Sequence, residues 1–226
     1  MLGNTGAFLT GKLPYDAEVE YLQSTGLQWI DTGVFHNFVN AVRFKMAMPN
    51  TDGHNYMGVY AAYNGEANRC TRIIYTNNSN SGDILVYHGS VAGSQGVKMT
   101  PPVSGHIKYG AWLEGYTSNS GYHINGASGT ANPGTPGIAS VTMKLFYSNS
   151  SGPAYAAGSK FAYFKIDNQI DLVPVRFTNE LGQSEGAMYD RANPTVGMNP
   201  DGSARTDGLY RNRGTGAFTI GPDKTA

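Results

Sequence analysis

The residues best placed for chemistry in this chain are a pair of acids near its start. Glu18 and Glu20 stand two apart in "AEVEYLQ", a spacing that puts both on one face of a strand. Glycoside hydrolases need two carboxyl groups across a scissile bond, one to protonate the leaving group and one to attack or to activate water. A third acid in the E-x-D-x-E manner is missing here, because Tyr21 and Leu22 follow, and Glu114 and Glu185 are isolated in sequence. The pair is read as a solvated face at a sheet edge, and no catalytic residue is assigned. The five histidines, His36, His54, His88, His106 and His123, show no H-x-H or H-x-x-x-H spacing that would seed a zinc site. Each is expected to be a surface or hydrogen-bonded strand residue. No G-x-S-x-G elbow marks a serine hydrolase, and the glycine pairs do not compose a phosphate loop. Cys70 is the single cysteine, so neither an intrachain disulfide nor a cysteine zinc site is available.

Binding chemistry has more candidates. "NPDGSARTDG" gathers Asn199, Asp201, Ser203 and Asp207, hard oxygens of the kind calcium takes. It lacks the spacing and terminal glutamate of an EF-hand. Asp201 and Asp207 are therefore calcium candidates beside the simpler reading of an Asp-Gly turn, and no other cofactor is expected. A sugar packs its C–H face on an aromatic ring while its hydroxyls need amides or carboxylates. Trp112 beside Glu114 has that composition, as does Trp29 beside Asp31, and Tyr60 and Tyr63 in "GVYAAYNGEANR" are loop aromatics. Trp29 is read as structural, since strand aromatics are mostly half-buried. The segment 191–208 holds Arg191 and Arg205 as hydrogen-bond donors and Val196 and Met198 as apolar contacts. Phe8 and Leu9 are large apolar side chains in an otherwise Gly-, Asn- and Thr-rich start, residues 1–12, which is expected to be a free tail serving as an anchor to a neighbouring subunit.

Strands must carry these residues. "AVRFKMAM" alternates Val42, Phe44 and Met46 against Arg43 and Lys45, the period of a strand with one face in a core. "HIKYGAWLEG" sets Ile107, Tyr109, Ala111 and Leu113 on one face, and "SVTMKLFYS" sets Val141, Met143, Leu145 and Tyr147 on one face. "DILVYHG" divides Ile84 and Val86 from Leu85 and Tyr87. "GYHINGAS" runs into Asn125-Gly126, a favoured two-residue hairpin turn, and "KFAYFKIDNQIDLVPVRF" reads as two strands around Asp167-Asn168. The opening "EYLQSTGLQWIDTG" reads as a hairpin turning at Ser24-Thr25-Gly26. No amphipathic helix, fixed repeat or linker is found. Short strands separated by polar turns predict an all-β, antiparallel sandwich over residues 13–226 as one domain.

Composition narrows the partners. Sixteen basic and sixteen acidic residues cancel, and only 14% of the chain is charged. That argues against a nucleic-acid binder, which needs a basic footprint. No apolar run is long enough for a membrane helix. The first residues lack the basic and apolar regions of a secretory signal, so synthesis in the cytoplasm of a host is expected.

The opening "AEVEYLQSTGLQWIDTG", followed in order by "VRFKM", "GYHING", "KFAYFKI", "DLVPVR", "GAMYD" and "LYRNRGTGAFTIGPD", resembles the laminin-G-like, concanavalin A-like jelly-roll domains of tailed-phage and gut-bacterial surface proteins. The resemblance spans residues 13–223, most specifically at its two ends. It departs at 191–208, where a longer loop replaces a short connection. It implies a jelly-roll fold and brings no catalytic constellation. The expected protein is a non-enzymatic, homo-oligomeric virion surface component, a capsid decoration or tail-associated protein, that attaches to a host surface or glycan. The alternatives are a purely structural virion protein binding only its neighbours, and a bacterial surface carbohydrate-binding module.

Overall fold

The structure, a computed structural model, describes residues 13–47, 57–62, 70–76, 83–89, 97–99, 110–130, 137–147, 157–194 and 206–225. Every element among them is a strand, and every pairing is antiparallel. The large sheet runs β11 (Ala127–Thr130), β10 (Gly121–Ile124), β9 (Trp112–Ser118), β4 (Val42–Ala47), β13 (Lys160–Ile166), β14 (Ile170–Thr178), β15 (Ser184–Asp190) and β16 (Leu209–Tyr210). The small sheet runs β3 (Ile30–Asn37), β12 (Ile138–Leu145), β5 (Met57–Ala62), β6 (Cys70–Thr76), β7 (Asp83–Gly89) and β8 (Val97–Met99). Together they make an all-β sandwich.

Alternation decides what lies between the sheets. Val42, Phe44 and Met46 of β4, Leu113 of β9, Phe164 and Ile166 of β13 and Leu172 of β14 are buried with Ile30 of β3 and Met143 and Leu145 of β12 in one core. Phe146 breaks the expected alternation. It takes φ +55 and is fully buried beside Leu145, and Tyr147 after it is only partly buried; Val141, beside the register shifts of β12 against β3, is also only partly buried. A positive φ at a bulky residue is strained. The compensation is an aromatic cluster, with the Phe146 ring 4.9 Å from Phe161 and 4.8 Å from Phe218.

Two of the turns read from the sequence form as expected. Asn125 and Gly126 both take positive φ and join β10 to β11, as a type I′ turn requires. Residues 167–169 join β13 to β14, with Asn168 at φ 60. The opening hairpin does not form. β2 (Leu22–Gln23) pairs in the large sheet, whereas β3 pairs with β12 in the small one. Residues 24–29 carry the chain across instead, because their own side chains satisfy the backbone. Gln28 Oε1 accepts from the Thr25 N–H at 2.7 Å, its Nε2 donates to the Thr215 carbonyl at 2.9 Å, and Ser24 Oγ accepts from the Gly26 N–H at 3.0 Å.

Both ends of the described chain lie inside the large sheet. Pairing between β13 and β14 stops at Phe164–Leu172, two residues short of Pro174, which has no N–H to continue a ladder. The two strands splay there, and the opening segment fills the gap. β1 (Ala17–Glu18) enters along β14, opposite Arg176 and Val175, and the Val19 N–H donates to the Pro174 carbonyl at 3.0 Å. β2 leaves along β13, opposite Phe161 and Lys160. β17 (Thr219–Ile220) pairs with β2, and the same register continues to a Val19–Asp223 bridge. The opening and closing motifs, the most specific parts of the sequence, are thus hydrogen-bonded neighbours.

β3 is an edge of the small sheet, and unpaired edges invite aggregation. This one is plugged by side chains. At its start, Asn212 Oδ1 accepts from the Trp29 N–H and the Arg213 N–H donates to the Trp29 carbonyl. At its end, the Gln169 carboxamide acts as a surrogate strand, accepting from the Asn37 N–H at 3.0 Å and donating to the Phe35 carbonyl at 2.9 Å.

Candidate functional site

The outward face of the large sheet carries the candidate Trp112. Along β9, Leu113 and Thr117 point inward and are buried, while Trp112, Glu114 and Tyr116 point outward and are exposed. Trp112 and Tyr116 keep 37% and 36% of their surface in solvent. Four residues of strand separate them by ~13 Å, the reach of a short chain of sugar rings. β9 is held straight by its neighbours. Asn125 in the hairpin turn clasps it, donating to the Trp112 carbonyl at 3.0 Å and accepting from the Glu114 N–H at 2.8 Å. Gly115 leaves room for β10, since a Cβ there would lie 1.9 Å from the His123 carbonyl oxygen.

Register assigns the partners across the sheet. Tyr116 faces His123 of β10 on one side and Arg43 of β4 on the other. The His123 ring stacks on Tyr116 at 6.0 Å, and the Arg43 guanidinium sits 5.3 Å from the Tyr116 centroid. Glu114 pairs with Lys45 at 2.9 Å, Arg43 forks onto Asp167 at 2.9 Å, and Lys165 reaches Asp171 at 3.1 Å. The Asp167 carboxylate raises the Arg43 pKa, and Asp171 raises that of Lys165. Trp112 lies opposite Ala47, and Ala47 opposite Lys160. Tyr21 fills in above, 6.1 Å from the Trp112 ring and 4.5 Å from the Lys160 ammonium. The face therefore offers ring surfaces among carboxylates, cations and an imidazole. It suits a ligand with one apolar face and many hydroxyls.

Tyr116, Tyr21, Lys160 and Arg43 were not singled out by sequence reasoning. Tyr116 was within reach of it, because "WLEGY" places it on the same side as Trp112 and Glu114 once Leu113 is assigned inward. Tyr21 and Lys160 come from segments 139 residues apart and had no local signal.

The other candidates fall apart from this face. Glu20 is exposed, but Glu18 is half-buried and accepts from Arg191 Nη2 on both oxygens, at 2.6 and 2.7 Å, with Lys224 at 3.7 Å. Burial pushes the Glu18 carboxyl up, but the Arg191 hydrogen bonds and charge outweigh it and hold the group below its ordinary value. Arg191 thus fastens the loop to the opening segment. Beside it, buried Asp190 accepts from the N–H groups of Asp171, Ala192 and Asn193, and the Asp190 N–H donates to the Gly208 carbonyl. These bonds tie the two ends of the 191–208 segment together. Asp207 is engaged by Arg211 and by the Leu209 N–H. Trp29 packs on the core with Tyr147 at 5.3 Å. Phe8, Leu9, Tyr63, Val196, Met198, Asp201 and Arg205 lie outside the described residues, and Tyr60 is described only as a position in β5. Among the described residues no three His, Cys, Asp or Glu side chains gather as a metal site would need. His123 Nδ1 and Ser128 Oγ are 2.8 Å apart, but no described hydrogen bond gives that exposed imidazole a carboxylate to orient it.

Two histidines that the sequence left scattered meet in the core. His36 of β3 and His88 of β7 are buried, with rings 5.0 Å apart. Their Nε2 atoms face the carbonyls of Asn40 and Phe38, at 2.9 and 3.1 Å. A carbonyl only accepts, so each Nε2 carries the proton, and each Nδ1 accepts from a threonine hydroxyl, Thr71 for His36 and Thr117 for His88. Thr117 belongs to the large sheet, so the pair is a neutral polar link between the layers.

No protein-family model, curated protein or solved structure matches this chain.

Proposed function

We propose that this chain is a carbohydrate-binding sandwich of the laminin-G-like, concanavalin A-like jelly-roll kind, a non-enzymatic attachment protein carried as a homo-oligomer on the surface of a tailed-phage particle. The observation that carries the binding role is the outward face of β9, where Trp112 and Tyr116 stand exposed on either side of Glu114. Large aromatics on a soluble protein are normally more covered, and these two are spaced along a rigid strand among hydrogen-bonding side chains. The phage setting rests on the resemblance of the opening and closing motifs. Binding is measured on a glycan array and by titration calorimetry. Trp112→Ala and Tyr116→Ala, both at exposed positions, should each weaken binding at least tenfold while the melting temperature moves little. Unchanged binding in the double variant would remove this face from the reading.

A second reading, a structural component that binds only its neighbours or itself, has one observation in its favour. Phe35, Val39 and Ile138 are exposed at the end of β3, where the 37–138 register brings two of them diagonally together. Retained oligomerisation in Phe35→Ser/Ile138→Ser, measured by light scattering, would count against it.

A further inference from the structure

We infer that the ligand of the β9 face is an anionic oligosaccharide whose acid group is met by Lys160, an inference that rests on the carbohydrate reading above. The cations of this face are otherwise matched. Arg43 has Asp167, Lys45 has Glu114 and Lys165 has Asp171. Lys160 differs, for among the described residues its ammonium has a ring beneath it, that of Tyr21 at 4.5 Å, and no carboxylate. An ammonium has three donors, and a ring face satisfies none of them as a carboxylate or sulfate would. Its position fits the platform. Lys160 is two strands from Trp112 in register, across Ala47, which is ~10 Å. Ala47 puts only a buried methyl group between them. A sugar ring stacked on Trp112 can therefore place an acid group within reach of Lys160, with the Tyr21 ring lining the path.

Glu114, two residues along β9 from Trp112, is already paired with Lys45, so the unmatched cation that draws an acid group lies across the sheet at Lys160. This polarity orients the chain of sugars on the face. The protein has no net charge, so the preference for an acidic ligand comes from this one local contact and fades with added salt.

The probes are oligogalacturonate, its methyl ester, a sulfated oligosaccharide and the neutral counterpart of that last one. Each is titrated calorimetrically into the full chain, its Lys160→Gln and Lys160→Arg variants, and Trp112→Ala. The wild type should bind at least one anionic probe tenfold or more tightly than its neutral partner. Which anionic probe shows the preference separates carboxylate from sulfate recognition. Lys160→Gln should erase that ratio, Lys160→Arg should keep most of it, and Trp112→Ala should weaken acidic and neutral probes alike. Equal affinity for acidic and neutral probes, or a ratio that survives in Lys160→Gln, overturns the inference while leaving carbohydrate binding intact. Failure of all four probes to bind overturns both.

Discussion

At the scale of single residues, the buried histidine pair has the clearest consequence. Burial pushes the His36 imidazole down to about 4; burial and the neighbouring His36 push that of His88 down to about 3. Unfolded, both titrate near the ordinary value of ~6.5. Between those values the unfolded chain binds more protons than the folded one, so stability rises with pH through this window. The native state is unpenalised above ~6.5, and stability is lost as pH falls from there toward 4. Each unit of depression is worth ~1.4 kcal/mol, so each imidazole accounts for ~3 kcal/mol by pH 4. The measurement is the melting temperature at pH 7 and at pH 4.5, for the wild type and His36→Gln/His88→Gln. Glutamine cannot be protonated, so the variant should show a smaller fall between the two pH values even if it is less stable at pH 7. An equal fall would assign the acid sensitivity to other groups. The pair was invisible in the sequence because 52 positions separate two residues on strands that do not pair with each other and that meet only in the folded core. Trp112 and Glu114 were legible for the opposite reason, since alternation within one strand settles which way they point.

At the scale of elements, period-two patterns located strands well and connections less well. β4, the 125–126 turn and the 167–169 turn follow from local chemistry, and that chemistry survives in the fold. The opening hairpin was misread because a short polar segment between two strands looks the same whether the strands pair or part. What decides is Gln28, whose carboxamide reaches both Thr25 and Thr215, and the second contact is remote. Gln169 poses a similar problem, because nothing local in the sequence marks its role. It caps the free edge of β3 with two hydrogen bonds. Gln169→Ala should cost about 1–2 kcal/mol, the range for backbone groups left with poorer partners. Exposed edges pair with other chains, so the same variant should aggregate faster near its melting temperature. Chemical denaturation and turbidity report the two effects. A variant as stable and as soluble as the parent would show that water replaces the carboxamide without penalty.

At the scale of the whole molecule, the sandwich is closed by its own ends. Residues 17–23 fill the gap between β13 and β14, and residues 219–223 pair with them. Glu18 reinforces the closure through Arg191 and Lys224. Deleting residues 218–226 should therefore do more than fray a tail. It exposes the buried faces of Leu22 and Phe146, removes Phe218, and should give a chain without a cooperative thermal transition. A deletion variant that melts cooperatively within a few degrees of the parent would show that the closure is dispensable. The resemblance of the two terminal motifs to one family of domains was legible in the sequence, but their mutual pairing was not, because register across nearly the full length of a chain leaves no local trace.

That closure also fixes an order of events in time. While the chain emerges from the ribosome, β13 and β14 can form their short hairpin, but the gap beside Pro174 has only half its filling until residues 219–223 have appeared. Pairings between positions about 200 residues apart are slow to find. The nascent chain therefore waits with an open sheet, and completion of the domain follows the synthesis of residues 219–223. Pulse-labelled hydrogen exchange should find the amides of Glu20 and Gly221, which bond across the two segments, protected together and last, after those of the β13–β14 hairpin.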